Sequence, residues 1–262
     1  MAYARSFILL SIAALSLGAA PVPVLPGSMS YADMVLLTLN APTIVHATVV
    51  KAEPVAARDA PGLAAGTARV LVTAALTDAI AAPTQVAATI DYLADVAADA
   101  RGKPPRLKGA DVLLFLRATG DSYALSNAHG QLGWTAAGEA TVRRILAEAR
   151  SGTSPVITGI GNAFRVPGGV PGEAESQFFL TTASAKPVSL VVLTRPGEPQ
   201  RLSLALGDVI DEAAGGVPRD TLLWYRLACF LPPTLPDATD PGLVADYAFV
   251  KATLGPCGRT LP

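Results

Sequence analysis

Apolar and polar residues alternate with a period of two through much of this chain and with a period of 3.6 in a few stretches. The pattern predicts a mainly β protein with accessory helices, of the α+β class. Residues 43–51 are rich in β-branched side chains, with Val45, Ala47 and Val49 alternating against His46 and Thr48, and read as a half-buried strand. Past a Pro- and Gly-containing loop at 61–66, further strand-like runs fall at 68–75, 85–93, 111–117 and 123–127. Five strands at this spacing predict a small antiparallel barrel or sandwich. Ser30 with Asp33 resembles a capping box, opening a short helix over 34–39 that Pro42 closes. Thr135 is placed to cap a second helix whose Val142, Ile145, Leu146 and Ala149 share one face and which Gly152 ends.

The pattern restarts after 152–155. Strand-like runs at 156–164, 177–182, 188–194 and 201–206, separated by turn signals at 185–187 and 196–197, predict a meander of short strands. Asp220 is placed to cap a helix over 221–231 that Pro232 and Pro233 terminate. Asp240 followed by Pro241 then starts another, with Leu243, Tyr247, Val250 and Leu254 on one stripe. The expected organisation is a leader at 1–25, an antiparallel barrel with a closing helix at 30–152, an antiparallel β unit at 153–215, and a helical hairpin at 216–262 packed on that unit.

The first residues bear on compartment. Arg5 supplies a positive charge and residues 7–20 run apolar, as in a signal peptide. Fourteen helical residues span only about 21 Å, short of the ~30 Å hydrocarbon core, and Pro21, Pro23 and Pro26 stop the helix from lengthening. The reading is a cleaved signal that leaves no stable membrane anchor, and a mature protein that is periplasmic or secreted. Composition agrees with a folded domain, since half of the residues are hydrophobic and few are charged. Twenty basic residues against 21 acidic ones leave no global field to attract nucleic acid.

Candidate chemistry is sparse. The chain has two histidines, His46 and His129, and neither lies in a zinc-binding spacing, so neither a metal nor a cofactor is expected. His46 sits mid-strand and reads as structural. Asn127 to Gln131 reads as a turn that carries His129, with Trp134 nearby as an aromatic wall, so His129 and Trp134 are candidate binding residues. Arg106 and Lys108 belong to a basic loop and are candidates for an acidic partner, although a solvated loop explains them too. Asp91, Asp95 and Asp99 read as solvated acids. The paired aromatics Phe178 and Phe179, and Trp224 and Tyr225, fall inside core-patterned elements. No GxSxG is present, and Gly159 and Gly161 are not followed by the third glycine of a dinucleotide fingerprint. Cys229 and Cys257 are the only cysteines. In an oxidising compartment they are expected to be bonded, and a helical hairpin would bring them together.

From Ile44 to Trp134 the order of elements, with Ile44-Val45-His46-Ala47-Thr48-Val49 opening and Lys108 to Phe115 following, resembles the OB-like barrel of netrin-type and tissue-inhibitor modules. The resemblance implies an OB-like fold. The cysteines that define that family are missing here, so its inhibitory role is not implied. The chain as a whole, including the stretch from Thr221 to Cys229, is similar to exported bacterial proteins, which implies a compartment and no activity. The favoured reading is a non-enzymatic exported binding module whose partner is a protein or small ligand of the periplasm. A periplasmic hydrolase assembled from dispersed residues such as His129, Asp121 and Ser126 is the second reading, and spacing leaves both open. If the leader is a signal, the mature chain begins between about Pro21 and Ser30. Intact mass after expression in a secreting host checks this, and recovery of only the uncut chain in the membrane fraction would count against it.

Overall fold

The computed structural model describes residues 29–120, 122–207, 216–236 and 240–262. The leader at 1–25, Asp121 and the end of the second β unit at 208–215 lie outside the described residues. The first sheet is antiparallel and contains β1 (Thr43–Pro54), β2 (Thr67–Ala81), β3 (Thr89–Ala97), β4 (Asp111–Thr119), β5 (Ser122–Leu125) and β6 (Gln131–Gly133). Its order is β3-β2-β1-β4-β5, with β6 also on β4. β5 and β6 lie along successive parts of β4, interrupted by a turn at 126–130. Phe115 bridges the interruption, its carbonyl accepting from the Ser126 N–H and its N–H donating to the Gly130 carbonyl. A Cβ on residue 130 would lie 2.9 Å from the Phe115 oxygen, so this close approach requires glycine.

The sheet curls until β3 comes near β5, but no ladder joins them, so the expected barrel is not closed. The physical reason is the shortness of β5: four residues followed by the turn leave too little edge for a ladder. Tyr92 on β3 reaches across instead and donates a 2.7 Å hydrogen bond to Gln131 Oε1 on β6. The third strand starts at Thr89 rather than at 85, because residues 82–88 are drawn into a loop, and β6 was too short to show in the pattern.

The second sheet is the expected meander, formed by β7 (Ile157–Pro167), β8 (Ala174–Thr182), β9 (Val188–Thr194) and β10 (Arg201–Leu206) in order β10-β9-β8-β7. Four helices accompany the sheets: α1 (Tyr31–Asn40), α2 (Ala136–Ser151), α3 (Leu222–Phe230) and α4 (Pro241–Leu254). Ser30, Thr135 and Asp240 cap α1, α2 and α4 as their positions suggest. For α3 the cap is Thr221 and not Asp220, its hydroxyl accepting from the Trp224 N–H.

Two cores share one wall. Inside the curl, Val45, Ala47, Val72, Ile90, Tyr92, Val112 and Leu114 pack together. The opposite face of the same strands presents Ile44, Leu113 and Phe115 to a larger core that includes α1, α2, the inner face of the second sheet and both C-terminal helices. β4 is therefore buried on both faces, which explains its unbroken run from Val112 to Leu116. On β8, Phe178 is buried, whereas Phe179 faces out beside Phe164, a correction to the core placement of that pair.

The C-terminal hairpin is antiparallel. Trp224 donates to the Leu254 carbonyl, Lys251 to that of Leu231 and Tyr247 to that of Pro232. Cys229 and Cys257 are bonded, with Cα atoms 4.8 Å apart. Closing this 28-residue separation stabilises by roughly 3 to 4 kcal/mol on a chain-entropy account. Leu243, Tyr247, Val250 and Leu254 are buried as a stripe. On the next turn of α4, Asp246 is 3% exposed and accepts from Arg165 Nε, Ser176 Oγ and Gln200 Nε2, fixing the helix to the second sheet.

Asp33 is a second buried carboxylate, 1% exposed. It accepts from the Thr260 and Leu261 N–H groups, from the Thr260 hydroxyl and from the Ser30 hydroxyl. Burial alone would push this carboxyl up, but those hydrogen bonds outweigh it and hold its pKa below the ordinary value. A carboxyl depressed in the folded state contributes stability that is fully present above its unfolded pKa and lost as pH falls through the folded one. Stability should therefore be flat above about pH 5 and decline below about pH 4, with part of that slope missing in Asp33→Asn. At neutral pH the same variant should cost roughly 2 to 3 kcal/mol in denaturant unfolding. A variant as stable as the parent would show that the carboxylate does not hold the C-terminus.

Candidate functional site

α2 lies across the outer face of the first sheet. Val142 and Ile145 enter the core with Ile44, while the start of the helix reaches His46, two residues further along β1. There the His46 ring stacks on Trp134 with centroids 4.4 Å apart and planes 5° from parallel. The Trp134 indole N–H donates to Glu139 Oε2 at 2.7 Å, and Arg143 ties Glu139 to Asp78 on β2. These contacts hold the Glu139 carboxyl below the ordinary range, first through the Trp134 hydrogen bond and then through that of Arg143. The two His46 nitrogens each lie 3.9 Å from a carboxylate oxygen, of Asp111 and of Glu139, and Nε2 is buried with no hydrogen-bond partner among the described residues. The cluster fastens α2 to the sheet.

The four residues singled out from sequence are not gathered into one site. Trp134 belongs to the cluster around His46. His129 sits half-buried on the 126–130 turn, where its N–H donates to Asn127 Oδ1, and among the described residues its imidazole has no hydrogen-bond partner. Arg106 and Lys108 are exposed in the loop before β4 and form no ion pair among the described residues. The acids of β3 are exposed to solvent and are also paired: Asp95 takes two hydrogen bonds from Arg69, and Asp91 accepts from Thr73 across the β2–β3 pair. Asp99 accepts from the N–H groups of Arg101 and Lys103 and shapes the basic loop. Among the described residues no three His, Cys, Asp or Glu side chains come together to hold a metal ion.

A concavity lies elsewhere. β2 outlasts β3: its ladder with β3 ends at Ala75 opposite Thr89, while its ladder with β1 continues to Ala81. The loop at 82–88 that spans the difference leaves an open groove of about 900 Å³ between the end of β2, the end of α1 and the last turns of α2. Leu39, Ile80, Pro83, Val86 and Leu146 form its walls, and Arg150 stands at its rim. Leu39 is 41% exposed there. No periodicity marks this site in the sequence; the only local signals are Pro42 and Pro83, which stop their elements and open the space.

Comparison with protein-family models and with curated protein sequences finds no match for this chain. Its geometry therefore carries the functional reading.

Replacing both Arg106 and Lys108 by Ala should leave the unfolding midpoint nearly unchanged, within about 0.5 kcal/mol. Trp134→Ala, which removes the ring over His46 and a donor to Glu139, should cost about 2 kcal/mol. Urea titration of the two variants checks the contrast, and a reversed order would move the interaction that matters to the basic loop.

Proposed function

We propose that this chain is a non-enzymatic binding module, exported by its N-terminal leader, that takes a protein or small ligand in the groove between α1, α2 and the 82–88 loop. The observation that carries the reading is the groove itself: a concave surface lined mostly by apolar side chains, with about as much polar as apolar area exposed and Arg150 as the charged side chain of its lining. One further fact accords with work outside the cytoplasm: the cysteine pair is bonded. In this reading the first sheet is an OB-like scaffold, and the ligand is met by a loop of that scaffold together with helices packed on it.

The hydrolase reading draws less support. Among the described residues Ser126 Oγ is buried without a hydrogen-bond partner, so no base is seen engaged with this hydroxyl. Asp121 lies outside the described residues.

The test compares the protein with Leu39→Glu, a substitution at an exposed groove position that should leave the thermal midpoint within about 2 °C. Both are immobilised and exposed to a periplasmic extract. The expected result is a component retained by the parent and lost with the variant; equal retention by the two would place binding away from the groove.

A further inference from the structure

We infer that the groove receives an extended peptide, which adds to β2 as a strand and places a carboxylate, its own C-terminus or an acidic side chain, on Arg150. The inference rests on reading the groove as the binding site and names what fills it. It starts from the backbone. After the Leu76 N–H donates to the Ala88 carbonyl, no described hydrogen bond reaches residues 77–81 from the side away from β1. Alternate residues of an antiparallel strand aim their N–H and C=O groups to that side, an alternation interrupted here by the register shifts at Thr77 and Ile80 opposite β1. A bulged free edge is therefore presented, of which Ala79, Ile80 and Ala81 line the groove. A small apolar ligand would leave these groups unpaired, whereas a peptide backbone satisfies them.

The side chains along the edge fit a close approach. Ala79 and Ala81 project little, and Ile80 is turned into the core. Leu39, Val86 and Leu146 then supply apolar contacts for alternate side chains of an incoming strand. Charge selects the end of the ligand. Asp78, the acid on this edge, is already paired with Arg143, and Arg144 is engaged with Glu148. Arg150 has no ion pair or hydrogen bond among the described residues, and it faces the groove in the last turn of α2. A guanidinium so placed favours a carboxylate, which it can hold in bidentate fashion.

The experiment selects binders from a library of random heptapeptides with free C-termini. It then compares each selected peptide with its amidated form and with forms N-methylated at alternate residues, following amide resonances of the whole protein. Dodecanoate serves as a small amphiphile without peptide groups. The expected result is that selected peptides shift the amides of 77–81 and slow their hydrogen exchange, and that N-methylation in one alternate register abolishes binding. Arg150→Ala should weaken carboxylate-bearing peptides about tenfold while leaving carboxylate-free ones unchanged. If peptides or dodecanoate perturb Leu39 and Val86 but N-methylation has no effect and 77–81 stay unprotected, the groove binds and strand addition is overturned. Equal affinities for Arg150→Ala and the parent overturn the carboxylate contact. If neither probe perturbs the groove, the binding-module reading falls with the inference.

Discussion

The wall formed by β1 and β4 is the constraint on which the rest of the structure depends. Both strands must be apolar toward the inside of the curled sheet, where Val45, Ala47, Val112 and Leu114 pack. They must also be apolar toward the helices, where Ile44, Leu113 and Phe115 pack. A strand buried on both faces admits no one-residue slip without exchanging the contents of two cores at once, so the register of this pair is strongly specified. The four helices and the second sheet share one core with one side of that wall.

The groove follows from the same geometry. β2 must run as far as Ala81 to stay paired with β1, but β3 has partners only as far as Thr89, so the sheet ends in a step. α1 and α2, held against the outer face through Val35, Leu37, Val142 and Ile145, roof that step without filling it. Their anchoring is polar as well as apolar. The chain from Trp134 through Glu139 and Arg143 to Asp78 pins the start of α2 to the sheet, which fixes where the other end of the helix, with Leu146 and Arg150, must lie.

Much of the fold was legible in the sequence because its elements carry clean periods. The meander from β7 to β10 and the stripe of α4 follow from alternation and from i, i+3, i+4 spacing, and the cysteine pairing from count and placement. The failures share a cause. The start of β3, the brief β6 and the open edge of the barrel depend on where one strand stops finding a neighbour, a tertiary fact with no local signature. The site was illegible for the same reason. Arg106, Lys108 and His129 attract notice as residue types, yet they stay apart on separate loops, while Leu39, Ile80 and Arg150 look ordinary until three elements converge on them. Asp33 was readable only as a local capping residue, because its partners lie 227 and 228 positions away.

That separation has a bearing on how the chain comes to its final form. Thr260 and Leu261 follow α4, and the carboxylate they satisfy sits in the first described helix. Any process that delivers the polypeptide from its N-terminal side, ribosome or translocation pore, delivers these donors 227 and 228 residues after the acceptor. Until then Asp33 has the Ser30 hydroxyl but not its C-terminal donors, and the helical core also lacks α4 and the partner of Cys229. The curled sheet, whose contents lie between residues 45 and 116, is complete long before. The polar closure of α1 therefore depends on a segment supplied long after the residues that fill the inside of the curled sheet.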